Sequence, residues 1–270
     1  MGAMSVSSSS SIELLFLGTG TSAGIPMIGC DCEVCTSADP RDKRTRASVV
    51  LSYDGVSVLI DTTPELRLQA VACGVGRIDA IVYTHAHADH IMGLDDARRF
   101  NMIKDGPIDT WADAPTHANL TRCFGYAFKD ENDPLVGFRP HLVRRVIDGP
   151  FNIGSRTWVP VPLAHDKQTI LGFRIDNVAY CTDASGISDE SYDLLRGVET
   201  LVLDALAWRP HPAHFSVDQA IEASRRIGAK NTWLTHMGHK LGHAETEARL
   251  PEGVRLSYDG LRVRARNSEF

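Results

Sequence analysis

Long hydrophobic runs are missing from this chain: Asp, Glu, Arg or His interrupts every apolar stretch well short of the ~20 residues that a membrane-spanning helix requires. No membrane partner is expected. A basic segment ahead of the short apolar stretch Ile12 to Leu17 is also lacking, so the N-terminus does not read as a secretion signal and a cytoplasmic location is expected. Cysteine is sparse, at 6 in 270 residues, which is no disulfide framework. Positive charge is not in excess either. The 28 Lys and Arg against 34 Asp and Glu give a net charge of −6, which disfavours a broad surface for gripping extended nucleic acid. A small or neutralised anionic substrate stays open.

What is present is enough apolar material for a core. With 43% of its residues hydrophobic, a chain of this length can bury roughly three quarters of its unfolded surface. Residues 1–11 are Ser-rich and expected to be a disordered tail, leaving 12–270 as one domain. β-Branched runs at Ile12 to Leu17, Ala47 to Tyr53, Val56 to Ile60 and Ala80 to Tyr83 predict strands, with Asp54-Gly55 as a two-residue hairpin turn. Helical spacing over Glu65 to Cys73 ends at Gly74, a C-cap signal. Further strands are expected at Ile108 to Trp111, Thr157 to Leu163, Gly172 to Ile175, Val178 to Thr182, Thr200 to Ala205, Thr232 to Thr235, Val254 to Tyr258 and Leu261 to Val263. Helices fall near 116–126, 188–196, 216–227 and 243–250. Lys129 to Pro150 shows no clear period and reads as a long surface excursion able to cover a site. The whole pattern predicts an α/β fold of two sheets with helices outside them.

The dominant chemical signal is His85-Ala86-His87-Ala88-Asp89-His90, which follows the strand Ala80 to Tyr83. In an extended loop His85 and His87 can aim at one cation, while Asp89 and His90, entering a helix, can aim at a neighbouring one. These four leave both cations under-coordinated. His165, Asp183 and His236 each stand just beyond an apolar run, at strand C-termini, and complete the expected ligand set.

These residues, with Gly18-Thr19-Gly20-Thr21-Ser22-Ala23-Gly24-Ile25-Pro26, Cys181-Thr182-Asp183, Leu234-Thr235-His236-Met237-Gly238-His239 and Tyr258-Asp259-Gly260, resemble the metallo-β-lactamase superfamily. Within it they resemble the branch of phosphoribosyl cyclic phosphate phosphodiesterases of the carbon–phosphorus lyase pathway. The resemblance implies a four-layer αβ/βα sandwich. It places one cation on His85, His87 and His165 and the other on Asp89, His90 and His236, with Asp183 bridging; manganese or zinc suits such ligands. Cys30, Cys32 and Cys35 supply three thiolates, and His239, three residues after His236, is taken as the fourth ligand of a structural zinc, a combination the resemblance also implies. Gly18-Thr19-Gly20 departs from dinucleotide-loop spacing and is read as structural.

The expected reaction is hydrolysis of small cyclic, nucleotide or ribose phosphodiesters by a metal-bridging hydroxide. A proton donor to the leaving alkoxide is still needed. The loop His211-Pro212-Ala213-His214 offers two candidates, and the resemblance favours His214. Arg98, Arg99 and Lys167 can equally bind phosphate or remain solvated, and His117, His141 and His243 are set aside. The competing expectation is a tRNA 3′-processing endonuclease of the same superfamily. A homodimer is left open.

Overall fold

A computed structural model describes residues 11–128 and 138–266. Strands β1 (Ser11–Gly18), β2 (Ser48–Tyr53), β3 (Val56–Ile60), β4 (Ala80–Val82), β5 (Ile108–Ala112) and β6 (Leu142–Val146) are followed by β7 (Phe151–Ile153), β8 (Arg156–His165), β9 (Gln168–Ile175), β10 (Val178–Cys181), β11 (Thr200–Asp204), β12 (Asn231–Thr235), β13 (Val254–Leu256) and β14 (Arg262–Arg266). They form two seven-stranded sheets among the described residues, ordered β14-β1-β2-β3-β4-β5-β6 and β13-β12-β11-β10-β9-β8-β7. Each sheet begins as an antiparallel meander and continues parallel, from β3 to β6 in the first and from β10 to β13 in the second. The helices are α1 (Glu33–Thr36), α2 (Leu66–Cys73), α3 (Ala88–Ile91), α4 (Ala97–Lys104), α5 (Ala114–Phe124), α6 (Asp189–Leu194), α7 (Val217–Ile227) and α8 (His243–Glu247).

The period of two along each strand creates the layers. In β1, Ile12, Leu14 and Phe16 face the second sheet, packing with Trp158, Phe173 and Tyr180. The alternate residues Leu15 and Leu17 face outward onto Leu66 and Ala70 of α2. A third cluster joins β10, β11 and β12 to α7 through Leu201, Leu203, Val217 and Ile221. The result is helix, sheet, sheet, helix, the sandwich expected from the sequence. One polar chain crosses the inner layer: Trp158 Nε1 donates to the Tyr53 hydroxyl (2.8 Å), which donates to the Ile153 carbonyl (3.0 Å). Local chemistry sets the element ends. Asp54 and Gly55 both have positive φ, as a type I′ turn requires, and α7 opens on a Ser216/Gln219 capping box and closes on left-handed Gly228.

Three expectations need correction. Lys129 to Pro150 is no uninterrupted excursion: residues 129–137 lie outside the described set, but Leu142–Val146 pairs with β5 as the edge strand of the first sheet. Its Val143, Arg144 and Arg145 give no alternating pattern because one side of an edge strand faces solvent. β1 opens at Ser11, pairing with Arg266, so the boundary drawn at Ile12 moves by one residue. Helix α4 was not foreseen; it buries only Ala97, Phe100 and Asn101, too few apolar positions to show a helical period.

The topology also collects chain ends. β1, β3, β4, β8, β10, β11 and β12 run in matching directions within their sheets, so their C-termini open on shared edges, where loops can carry polar groups that the core cannot.

Candidate active site

Every histidine and aspartate expected to hold the two cations is brought to this edge. His85 and His87 follow β4, Asp89 and His90 belong to α3, His165 ends β8, Asp183 follows β10, and His236 follows β12. The ligand atoms of His85, His87 and His165 lie within 4.8 Å of one another, as do those of Asp89, His90, Asp183 and His236. Within the second group Asp183 has its Oδ2 3.3 Å from His90 Nε2 and its Oδ1 3.1 Å from His236 Nε2, and its carboxylate also lies within 4.8 Å of the ligand atom of His165 in the first. Asp183 and His236 both adopt positive φ, which turns their side chains back over the strand ends.

Separations and free atoms both suit metal. Two ligand atoms held about 2.0 to 2.1 Å from one tetrahedral ion lie roughly 3.3 Å apart. His87 Nδ1 and His165 Nε2 are 3.3 Å apart, and Asp89 Oδ2 is 3.4 Å from His90 Nε2. His85 Nε2, His90 Nε2 and His236 Nε2 are buried with no hydrogen-bond partner, a costly condition for polar atoms unless a ligand satisfies them. Burial pushes the His85 and His87 imidazoles below their ordinary range, so they are neutral and able to coordinate. Burial opposes ionisation of Asp89 and Asp183, yet His236 and His90 hold both carboxyls below the usual range. Burial likewise opposes charge on His90, but Asp183 and Asp61 hold it well above normal. The pocket calls for positive charge.

Two carboxylates absent from the sequence reading support this set. Asp61, fully buried after β3, accepts from His90 Nδ1 (2.7 Å) and from the Thr84 amide (2.9 Å) and hydroxyl (2.8 Å). Asp204, the last residue of β11, lies 2.9 Å from His214 Nδ1. Both obey the rule that selected Asp183, an aspartate closing an apolar strand, and the same scan finds them. His214 stacks on His236 with ring centroids 4.7 Å apart and stands 5.0 Å from His165, so the loop after β11 does bring it to the site; His211 lies farther out, 5.3 Å from His214.

The thiolate cluster is assembled as well. Cys30, Cys32 and Cys35 place their sulfurs 3.3, 3.5 and 3.9 Å from His239 Nδ1. A tetrahedral zinc with Zn–S about 2.3 Å and Zn–N about 2.0 Å has S–N edges near 3.5 Å, so the four residues fit that ion. The Cys32 thiol is lowered to about 6, first by a backbone N–H at Cys35, with Cys30, Cys35 and His239 adding to it. Gly18 and Gly20 are structural: a Cβ would lie 2.1 Å from the Arg46 carbonyl or 2.7 Å from that of Arg44. Their loop clasps the segment after His236 through Thr21 N–H to the Met237 carbonyl (3.0 Å) and Met237 N–H to the Thr19 carbonyl (2.9 Å).

The other candidates are engaged elsewhere. Arg98 pairs with Asp95 and the Phe138 carbonyl, and with Arg99 it lines an apolar cleft between α2 and α4. His117 is buried with Nε2 3.0 Å from the Arg145 carbonyl, and the backbone amides of His141 and His243 donate to Asn101 and Asp42. Lys167 occupies the β8–β9 turn.

The family described as beta-lactamase superfamily domain matches residues 57–237. A crystal structure of a diphosphatase from the PhnP family is 41% identical, with a TM-score of 0.88 over 94% of this chain and 97% of that one. An octanoyltransferase of Porphyromonas gingivalis is 34% identical over 253 residues, 93% of this chain, which spans only 51% of that relative's length. The short form of human tRNase Z shares the fold at 18% identity and a TM-score of 0.69, over 93% of this chain and 98% of that one.

Proposed function

We propose, from the premise that this chain belongs to the beta-lactamase superfamily and to its PhnP-like branch, that it is a binuclear metal-dependent phosphodiesterase acting on small cyclic, nucleotide or ribose phosphodiesters. The observation that carries this reading is the convergence of His85, His87 and His165 in one group and of Asp89, His90, Asp183 and His236 in a neighbouring one, with buried imidazole nitrogens that have no hydrogen-bond partner. Two divalent cations bound there supply Lewis acidity to a phosphoryl oxygen and a nucleophile that is deprotonated near neutral pH.

The chain's own groups do the rest. Asp183, beside His90 and His236 and within 4.8 Å of His165, is placed to bridge the two ligand sets, and Asp61 orients His90 so that its Nε2 faces the site. His214, aligned by Asp204 through Nδ1, presents its other nitrogen toward the reacting centre and protonates the leaving alkoxide. Burial holds this imidazole below its ordinary value, and an anionic diester beside it raises its proton affinity as substrate binds. Cys30, Cys32, Cys35 and His239 hold a structural zinc that ties the N-terminal segment to the loop after His236.

The diphosphatase neighbour extends the substrate class to phosphoanhydrides, since both bond types release an oxygen leaving group from phosphorus. The net charge of −6 favours small diesters over tRNA. The test offers the metal-replete protein a cyclic nucleotide, bis(p-nitrophenyl) phosphate, a dinucleoside diphosphate, precursor tRNA and a β-lactam. Turnover of the small diesters is expected, and cleavage of precursor tRNA alone would overturn the reading.

A further inference from the structure

Four of the site's imidazoles have a remote nitrogen beside a well-defined hydrogen-bond partner: His85 on Thr84 Oγ1 (2.9 Å), His90 on Asp61 (2.7 Å), His165 on the Ala213 carbonyl (2.8 Å) and His214 on Asp204 (2.9 Å). His87 differs. Its Nδ1 lies 3.3 Å from His165 Nε2, inside the site, and its Nε2 lies 3.4 Å from the side-chain amide nitrogen of Gln168, an exposed residue. Gln168 and His165 are directly paired across the β8–β9 hairpin, so one turn brings groups to both nitrogens of His87.

We propose that Gln168 is a positioning residue that sets the tautomer of His87, and through it the ability of the His85/His87/His165 set to take a cation. The inference rests on the binuclear reading above. The Ala213 carbonyl can only accept, so neutral His165 carries its proton on Nδ1 and its Nε2 is a bare lone pair. With no cation between them, His87 Nδ1–H donates to that lone pair and His87 Nε2 accepts from the Gln168 amide N–H. The donors then run in one direction, from Gln168 through His87 and His165 to Ala213. A cation requires lone pairs on both His87 Nδ1 and His165 Nε2. The His87 proton must then leave Nδ1 for solvent while Nε2 takes one up, with no net change, and Nε2–H needs an acceptor.

A half-turn of the Gln168 amide supplies it, replacing the NH₂ group with Oε1. Gln is suited to this position because its amide offers both a donor and an acceptor. A carboxylate offers acceptors alone and favours the cation-binding tautomer from the outset. A leucine serves neither state. Gln168 is exposed, so solvent can exchange the proton.

The test compares wild type, Gln168→Glu and Gln168→Leu by long-range ¹H–¹⁵N spectra of the His87 ring and by zinc titration against a competing chelator. In wild type the His87 proton should move from Nδ1 to Nε2 as zinc is added. In Gln168→Glu it should sit on Nε2 before zinc is present, with affinity equal to or above wild type. Gln168→Leu should weaken one of the two active-site cations by about 10- to 100-fold, the range typical of lost outer partners to metal-bound histidine. Zinc affinity within twofold of wild type in Gln168→Leu, or His87 bound to zinc through Nε2, overturns the proposal. Wild-type protein that takes up only the thiolate-held zinc overturns the binuclear reading itself and this inference with it. Wild type that fills the pair, with both variants indifferent, overturns the role of Gln168 alone.

Discussion

His214 is the side chain at which chemistry and metal binding can be separated. Its alignment by Asp204 gives it the geometry of a proton donor, yet its ligand atom also falls within 4.8 Å of those of His165 and Asp183. His214→Ala should therefore lower turnover by about a hundredfold to ten-thousandfold, as loss of a positioned general acid does, while metal content by elemental analysis stays at the wild-type value. A variant that loses a cation along with activity would make His214 a ligand instead. At this scale the sequence was readable where side-chain chemistry is dense: four potential ligands in six residues announce themselves, and the isolated His165, Asp183 and His236 follow from coordination need and strand-end position. Asp61 and Asp204 carry the same strand-end signal as Asp183, but each touches the site through another residue, so their part as partners of His90 and His214 shows only in the fold.

Among the elements, the loop from His236 to His243 has three independent moorings. The Thr19–Met237 backbone pairing holds its start, and the buried Arg44 holds its middle by donating to the Leu241 carbonyl (2.7 Å) while pairing with Asp42 (3.1 Å). The thiolates around His239 are the third. Cys32→Ser should thus lower the zinc content by one ion per chain and leave the active-site pair filled, because the moorings at Met237 and Leu241 remain. Loss of every metal would show that the cluster alone holds the loop. The same site has a predictable pH response. With the Cys32 thiol at about 6, the thiolate is the dominant form at neutral pH, and protons compete with zinc increasingly as pH falls below that value. Zinc release followed by a colorimetric chelator should therefore rise on acidification, and the total released should be one ion per chain lower in Cys32→Ser.

For the whole molecule, the legible part was the part governed by burial. Buried strands such as Val56–Ile60 and Thr200–Asp204 match the sequence expectation within a residue, because their apolar runs pack into the core between the layers. The edge strand β6 and the short helix α4 do not, since their faces are only partly covered and leave no period to read. This division between core and rim carries a prediction about metal removal. The three apolar clusters bind sheet to sheet and sheet to helix without using any of the seven residues proposed to hold the pair, and those seven stand at or beyond strand ends. A chelator that empties the pair should therefore abolish hydrolysis but leave the far-ultraviolet circular dichroism and a single cooperative melting transition intact. The expected cost is the lost binding linkage, about 4 kcal/mol for each site held at a thousand times its Kd and about 8 kcal/mol for the pair, which for a chain of this size lowers Tm by roughly 15 °C. Collapse of the dichroism signal on chelation would place the cations inside the folding core and contradict the separation of sandwich from site.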